Sequence, residues 1–347
     1  MTREKRKYFL QQYLQVEYTH GGIGGTDAEK ILLAKGFEPV LFPHQYGFSF
    51  TAKVSRFFFL LRMYRKIKKG DTFIFLSPVY AAMSKMLIGR LHKKGVTIVC
   101  FIADINGLKD GHESLLKREI FFFRQFHYFI VHNEAMKEWL KKNVSAAVQA
   151  SAIEFFDFLA KPVGRQKGIS MDIVFAGNLE KSNFLANLHL LKGENSLHFH
   201  LYGPGVNDNI TSQENVTYHG IESPYDLPGK LKGSFGLLWD GDSIDKPGGS
   251  LGTYMQYISH HKLSLYIVSG LPVILPASAA TAGLVEKYQI GFTVNSLYEI
   301  EEKIKTISPG EYTQMQHNMQ PLADQISQGE CLGHAIDEIL KRVGGLL

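Results

Sequence analysis

Short apolar runs alternate along the chain with longer segments whose apolar positions recur at the helical period. This alternation is typical of βαβ units built on a parallel sheet. The predicted strands of the first half are Tyr8–Leu14, Pro39–Phe42, Thr72–Leu76, Thr97–Ile102 and Tyr128–Val131. The predicted helices are Asp27–Lys35, Lys53–Lys68, Ala82–Lys93, Glu113–Phe126 and Glu134–Lys142.

The alternation stops at residues 156–170, where prolines and glycines indicate a linker, and then begins again. The strands predicted beyond the linker are Met171–Ala176, Leu197–Tyr202, Val216–His219, Phe235–Trp239, Pro272–Leu275 and Phe292–Val294. We therefore expect two doubly wound, Rossmann-like domains, residues 1–160 and 161–347, with the ligand in a central cleft between them. A terminal helix is predicted over 330–343, and whether it packs back on the first domain stays open.

Composition agrees with two globular domains, since 347 residues exceed one ordinary core and 45% of them are hydrophobic. Lys and Arg number 38 against 33 Asp and Glu, an excess too small for a dedicated nucleic-acid binder. Cys100 and Cys331 support neither a disulfide framework nor a metal cluster. The N-terminus lacks an apolar leader and no run approaches a bilayer span. We expect a cytoplasmic protein, either free or peripheral on the inner face of the membrane.

A glycine-rich loop lies between the first predicted strand and the first predicted helix. Its glycines include Gly22, Gly24 and Gly25. Such a loop lets a ligand approach the backbone and the free N–H groups of the helix start, which would make it an acceptor-side loop. The alternative is a tight turn in which Thr26 or Asp27 caps the helix.

A second informative loop follows the apolar strand that ends at Ile102. Asp104 stands at its carboxyl end, where a general base for a sugar hydroxyl would face the cleft. The competing interpretation is a helix cap or turn aspartate. His20 also follows a predicted strand and is the second candidate base.

The second half contains further strand–glycine–helix turns. Gly177, Asn178 and Lys181 form one of them, and Lys181 lies where a cation meets a phosphate at a helix N-terminus. Taken alone, Lys181 is more typical of a solvated surface residue than of a phosphate ligand. Tyr202-Gly203 begins another such turn, along whose backbone a flat base can lie.

The segment from Ser259 to Ile274 carries the strongest signal. Ser259 is predicted to cap a short helix that Gly270 ends in a left-handed conformation. Lys262 then lies in the first turn, where a cation opposes the helix dipole by about 0.3–1 kcal/mol unless an anion binds beside it. A diphosphate would use both the lysine and the free N–H groups. The alternatives are a solvent-facing Lys262 and a His261 that belongs to the core.

These motifs resemble the donor domain of GT-B glycosyltransferases. F-G-L-L-W-D-G at 235–241 and H-K-L-S-L-Y-I-V-S-G-L-P-V-I at 261–274 are similar to one bacterial branch. That branch holds β-galactofuranosyltransferases of surface polysaccharides and the streptococcal glucosyltransferase that extends GlcNAc on serine-rich adhesins. G-D-T-F-I-F-L-S-P at 70–78, C-F-I-A-D-I at 100–105 and I-V-H-N-E-A-M at 130–136 match its N-terminal domain in character.

The resemblance implies a metal-independent transferase that moves a hexose, galactofuranose or glucose, from a UDP-sugar with inversion and needs no cofactor. It implies that Lys181 and Lys262 bind the diphosphate. The remaining expected donor-site residues are Gly177, Asn178, Tyr202, Gly203, Asp240, Tyr257 and His261. The chain departs from the branch at Ala103, where relatives carry His, and at Ser259-His260, where they carry Asn-Pro.

The sequence leaves several alternatives open. The same scaffold could serve a sugar-nucleotide epimerase or a catalytically silent partner subunit, whereas an NAD-dependent dehydrogenase lacks its glycine fingerprint. The acceptor is expected to be a glycan, glycolipid or glycoprotein, and homo-oligomers are compatible with the sequence. The aromatic and basic segment 55–69 predicts either a membrane-surface helix or a core helix with a solvated basic end.

Overall fold

The computed structural model describes residues 3–14, 22–44, 49–164, 168–191 and 197–345. Its chain divides into two compact units. The first comprises Met1–Ile153 with Leu332–Leu347, and the second comprises Glu154–Cys331. The sequence pattern had placed the division at residue 160, inside the irregular segment that joins the two sheets.

The first unit is a six-stranded parallel sheet in the order β2-β1-β3-β4-β5-β6. Its central strands are buried on both faces, which explains their continuous apolar runs. The strands are β1 Lys7–Leu10, β2 Glu38–Val40, β3 Thr72–Ser77, β4 Thr97–Ile102, β5 Tyr128–Val131 and β6 Gln149–Ala152. The helices are α1 Ile23–Ala34, α2 Phe50–Lys66, α3 Ala82–Lys93, α4 Asn106–Lys109, α5 Glu113–Phe123 and α6 Glu134–Asn143.

The first strand is shorter than predicted, because the backbone after it hydrogen-bonds to the buried carboxylate of Glu29 instead of to a neighbouring strand. The backbone N–H groups of Tyr13 and Leu14 donate to Glu29 on α1 at 3.0 and 2.9 Å. Burial raises the pKa of Glu29, and the hydrogen bonds from the backbone only partly offset this. The chain therefore leaves the sheet after Leu10.

The first helix starts earlier than predicted. α1 begins at Ile23 with Gly22 at its N-cap, so the expectation that Thr26 or Asp27 caps this helix is wrong. Apolar periodicity sets in only at Ala28, and the glycine turn before it carries no pattern that marks it as helical.

The second unit is again a six-stranded parallel sheet, in the order β12-β11-β10-β7-β8-β9. Its strands are β7 Asp172–Ala176, β8 His198–Tyr202, β9 Val216–Tyr218, β10 Phe235–Leu237, β11 Val273–Pro276 and β12 Gly291–Val294. Its helices are α7 Asp208–Thr211, α8 Leu227–Lys230, α9 Gly249–Tyr254, α10 His261–Val268, α11 Ala282–Tyr288, α12 Ile300–Thr306 and α13 Pro309–Ser327, with 3-10 helices at Asn183–Leu191 and Leu297–Glu299.

The strand order of the second sheet reverses between β7 and β10. From β7 the chain winds outward through β8 and β9, and it then returns to the other side of β7 to continue through β10, β11 and β12. In doubly wound sheets the crevice at such a reversal, at the carboxyl ends of the strands, is where ligands bind. The topology thus singles out the ends of β7 and β10.

The terminal helix α14, Glu330–Gly345, contacts residues of the first unit by polar side chains. Asp337 accepts a 2.6 Å hydrogen bond from Lys35, and Glu338 accepts one of the same length from Ser151. Arg342 donates to the carbonyl of Ala150 at 2.7 Å. In the part of the chain that the structure describes, no helix has the length and apolarity required to cross a bilayer.

A histidine pair lies on one face of the second sheet. Nδ1 of His200 is 2.9 Å from Nε2 of His219, and Nε2 of His200 is 3.2 Å from a carboxylate oxygen of Asp172. Burial lowers the pKa of both histidines, and the neighbouring His198 and Lys232 lower it further, while Asp172 opposes the shift at His200. The folded state therefore favours the neutral pair.

This pair predicts a loss of stability at acid pH. A histidine whose pKa is lower in the folded than in the unfolded state binds protons preferentially when unfolded, so stability falls as pH drops below the ordinary value of 6.5. We expect His219→Gln, which cannot titrate, to reduce the fall in urea-unfolding free energy between pH 7.5 and 5.5. His317→Gln, at an exposed histidine, is the control. Equal pH dependence in wild type and His219→Gln would contradict the assignment.

Candidate functional site

The loops after β7 and β8 lie against each other through backbone hydrogen bonds. Gly177 N–H donates to the carbonyl of Tyr202 at 2.9 Å, and Leu179 N–H donates to that of Pro204 at 2.8 Å. Gly203 has a φ of +127°, and a Cβ there would stand 1.9 Å from the carbonyl oxygen of Gly177. Only glycine permits this approach, so the two loops form one backbone surface at the carboxyl edge of the sheet.

Lys262 reaches that edge from the first turn of α10. Its Nζ lies 2.9 Å from a carboxylate oxygen of Asp240, three residues beyond the end of β10. The same Nζ lies 4.3 Å from the ring centroid of Phe175 on β7, and its Cε would be 2.9 Å from a Cβ on Gly177. Lys262 therefore lies across the reversal between β7 and β10, and the glycine makes room for its stem.

A histidine completes this group, which we call the Lys262 cluster: Lys262, Asp240 and His260. Nε2 of His260, a buried residue that precedes α10, is 2.9 Å from the second carboxylate oxygen of Asp240. Burial by itself raises the pKa of Asp240, but the charge of Lys262 and the contact with His260 outweigh it and hold that pKa well below its ordinary value. Asp240 is thus a carboxylate at neutral pH.

Tyr266, one turn after Lys262, anchors α10 between the two strands. Its hydroxyl donates to the carbonyl of Leu237 and accepts from the N–H of Ala176, both at 3.0 Å. A Cβ on Gly236 would stand 2.3 Å from the ring, so glycine is needed beneath it. The buried tyrosine bridges β7 and β10 where their own pairing has ended and thereby sets the position of Lys262.

Removing this hydroxyl should destabilise the second unit. Tyr266→Phe leaves a buried N–H and a buried carbonyl without their partner, which costs about 2–4 kcal/mol of unfolding free energy. Tyr312→Phe is the matched comparison, because its hydroxyl donates to one buried carbonyl, that of Ser234, and we expect about 1 kcal/mol. Urea unfolding measures both losses. Equal losses would mean that the hydroxyl of Tyr266 does not bridge the strands.

Three other predicted donor-site residues lie at or just beyond the carboxyl ends of β7 and β8, where two are exposed and one is buried. Asn178 and Lys181 are exposed on the turn after Gly177, and no side chain in the described ranges pairs with the ammonium of Lys181. Tyr202 is buried, its ring stacks on His219 at 4.7 Å, and its hydroxyl accepts from the N–H of Lys232. Only the backbone of Tyr202 therefore borders the glycine surface.

The remaining two predicted donor-site residues flank α10. His261 is half-buried, and its ring packs edge-on against Phe158 at 5.0 Å, within the second unit. Tyr257 is half-buried in the turn that follows α9. The prediction that Ser259 caps the helix is wrong: His260 occupies the N-cap and Ser259 is buried. The sequence offered one signal for His260, its replacement of proline in the branch motif.

In the first unit, Asp104 lies just beyond β4 at the carboxyl edge of the sheet. Its carboxylate accepts a 2.8 Å hydrogen bond from Lys109, and it is about one-third exposed. Asn106 beside it donates to the hydroxyl of Tyr80 at 3.1 Å. The N–H groups of Asn106 and Gly107 donate to Glu119, which holds the turn that presents Asp104.

Two of the three predicted acceptor-side glycines lie in a helix, whereas the sequence predicted a loop. Gly22 precedes α1, while Gly24 and Gly25 lie inside its first turn instead of in a loop. A Cβ on Gly25 would stand 2.7 Å from the ring of Tyr13, so this glycine lets the tyrosine pack on the helix. His20 lies outside the described residues.

The Lys262 cluster and the glycine surface can together receive an anion. Lys262 contributes a cation, the start of α10 contributes the positive end of the helix dipole, and Lys181 adds an exposed ammonium on the adjoining turn. Within the described ranges, no group of three or more His, Cys, Asp or Glu side chains has a geometry that could hold a metal ion.

Comparison with known proteins places both units in one family. The profile described as Glucosyltransferase 3-like, N-terminal domain, matches residues 7–147, and the corresponding C-terminal domain profile matches residues 173–339. The chain is 28% identical over 253 residues to β-1,6-galactofuranosyltransferase WbbI of Escherichia coli K12, covering 70% of this chain and 71% of that protein. It is 25% identical over 264 residues to glucosyltransferase 3 of Streptococcus gordonii, covering 75% and 76%.

Solved structures share the fold at low sequence identity. HepE of Anabaena, solved in complex with UDP-glucose, superposes with a TM-score of 0.63 and 11% identity over 99% of this chain and all of that one. Glycosyltransferases with two Rossmann-like domains recur among the structural neighbours. The fold class predicted from the sequence, two Rossmann-like domains of the GT-B type, is confirmed.

Proposed function

This chain is a glycosyltransferase of the Glucosyltransferase 3-like family, and we propose that it moves a hexose, galactofuranose or glucose, from a UDP-sugar to a glycan acceptor. The observation that carries the proposal is the position of Lys262 at the reversal of the second sheet, between β7 and β10. The activities named for WbbI and glucosyltransferase 3 support the choice of sugars, and the UDP-glucose complex of HepE supports the nucleotide.

In this proposal the diphosphate binds between Lys262, Lys181 and the N-terminus of α10. Asp240 keeps the ammonium of Lys262 at the carboxyl edge before the donor arrives, so that little reorganisation accompanies binding. The exposed ammonium of Lys181, which no side chain of the described residues contacts as an ion pair, gains a partner when an anion binds. The backbone at Gly177 and Gly203, which carries no side chain, lies alongside the nucleotide.

The transfer is proposed to be an in-line displacement at the anomeric carbon with inversion. Asp104 accepts the proton of the acceptor hydroxyl while the oxygen of that hydroxyl forms a bond to the anomeric carbon. The bond from carbon to the phosphate oxygen breaks, and the charge that develops on UDP is stabilised by the two lysines and the helix N-terminus. Two ammonium groups beside the diphosphate, of which Asp240 partly neutralises that of Lys262, supply counter-charge together with the N-terminus of α10, and this supports a reaction without metal.

A donor panel tests the proposal. We expect UDP release in the presence of acceptor glycan from UDP-galactofuranose or UDP-glucose, with retained activity in EDTA and a thermal shift on adding UDP. GDP-mannose is the control donor and should give neither signal. Strict dependence on Mn²⁺ would overturn the metal-free mechanism. Conversion of the sugar nucleotide without acceptor and without UDP release would identify an epimerase instead.

A further inference from the structure

Helix α2 carries apolar side chains on a face that none of the described elements covers. Phe50, Val54, Phe57 and Phe58 are exposed by 81, 36, 41 and 64% of their surface. Their spacing places them along one side of a helix with 3.6 residues per turn. The residues that bury α2 against its own unit, Ala52, Leu60 and Met63, lie on the opposite side. We call the four exposed residues the α2 stripe.

The α2 stripe lies in the most basic part of the chain. From residue 39 to residue 70 the sequence contains seven Lys and Arg and no Asp or Glu, which exceeds the net charge of +5 of the whole protein. Lys53, Arg62 and Arg65 lie beside the stripe on the helix surface and are exposed. Within the described ranges, none of these three pairs with a carboxylate. Positive charge therefore borders the exposed apolar residues on both sides.

We propose that the α2 stripe and its basic border dock the protein on an anionic lipid surface. A helix that lies in a membrane interface places aromatic residues among the acyl chains and Lys or Arg at the headgroups, and this is the arrangement that α2 presents. The position of the cations beside the stripe matters, because exposed aromatic side chains alone contribute little free energy of binding to a bilayer. Cations beside them add the attraction of the anionic headgroups. The surface belongs to the first unit, whereas the Lys262 cluster belongs to the second.

Charge argues against a second copy of the chain as the occupant of this face. A two-fold contact brings the same patch of both subunits together, so two segments that each contain seven Lys and Arg and no Asp or Glu would meet. Repulsion between like charges opposes such a contact, particularly at low salt. An anionic surface, by contrast, neutralises the border as the stripe is buried.

Vesicle co-sedimentation of the full-length protein tests this proposal without any donor or acceptor. Vesicles of equal parts phosphatidylglycerol and phosphatidylcholine should sediment the protein at low salt. Vesicles of phosphatidylcholine alone, or the anionic vesicles in about 0.5 M NaCl, should sediment much less, because screening shortens the range of the attraction to a few ångströms. Equal sedimentation with both lipids, or with neither, would overturn the proposal.

Two variants separate the apolar and the ionic contributions. We expect Phe57→Ser/Phe58→Ser and Arg62→Glu/Arg65→Glu each to lower the partition coefficient onto anionic vesicles by more than about tenfold. Tyr298→Ser, at an exposed aromatic of the second unit, is the control for the first. Lys142→Glu/Lys341→Glu, at exposed lysines outside α2, matches the second in charge. An equal loss of partitioning in the control variants would overturn the proposal, because net charge or general apolarity would then govern binding to the vesicles.

Because all substituted side chains are exposed, the variants should keep the unfolding temperature and UDP thermal shift of the wild type. Light scattering measures the oligomeric state and so tests the alternative that a second copy of the chain covers the α2 stripe. If Phe57→Ser/Phe58→Ser turns an oligomer into a monomer and the wild type does not bind vesicles, the stripe covers another copy of the chain and the proposal fails.

Discussion

Replacing Lys262 by alanine is expected to lower the rate of sugar transfer at least a hundredfold and to destabilise the second unit by about 3 kcal/mol. The first effect follows because a cation next to the leaving diphosphate is lost. The second follows because Asp240, a largely buried carboxylate, loses its cation and keeps, among the described side chains, the contact with His260. UDP release and urea unfolding measure the two effects separately.

Two further variants separate the roles of the Lys262 cluster. Lys262→Ala/Asp240→Asn removes the unpaired charge as well, so it should regain most of the stability but none of the activity. Lys181→Ala, at an exposed lysine, should weaken UDP binding and leave the unfolding free energy unchanged. Unchanged kinetics in Lys262→Ala would remove this lysine from the donor site. Lost activity with unchanged stability would show that the ion pair does not support the fold.

Asp104→Asn is expected to lower turnover by a factor of about 10²–10⁴, the usual contribution of a general base, and to leave UDP binding intact. The amide keeps the shape of the side chain but cannot accept the proton of the acceptor hydroxyl. Its partner Lys109 contacts the carboxylate at 2.8 Å, so the acceptor must share or displace this contact. Single-turnover rates with saturating donor, together with the UDP thermal shift, measure the two outcomes.

Lys109→Met is the informative partner variant, because it frees the carboxylate without removing it. If Asp104 is the base, Lys109→Met should retain far more activity than Asp104→Asn. Full activity in Asp104→Asn would contradict the role of this residue, and His20→Ala would then be the next variant to measure. Loss of UDP binding in Asp104→Asn would point to a general defect in folding.

The sequence determined the elements whose pattern is long and locally consistent. β4 and α3 have the predicted bounds, because five apolar residues after Thr97 and an amphipathic run of twelve need no distant partner to be recognised. β6, with the sequence Q-A-S-A, was missed because small and polar residues form a strand there only through pairing with β5. α13 was also missed, although Ser308 and Glu311 form a capping box at its start.

The sequence also predicted that Lys262 and Asp104 lie at the carboxyl edge of their own sheets, and the structure places both residues there. Only the tertiary structure decided how these residues are held. Lys262 and Asp240 are 22 positions apart, and Tyr266 contacts Ala176 across 90. Such contacts depend on β10 lying beside β7, which is a property of the strand order and of no local pattern. The contact of His260 with Asp240 depends on the strand order in the same way. The ring of Tyr202 stacks on His219 instead of lying at the Lys262 cluster.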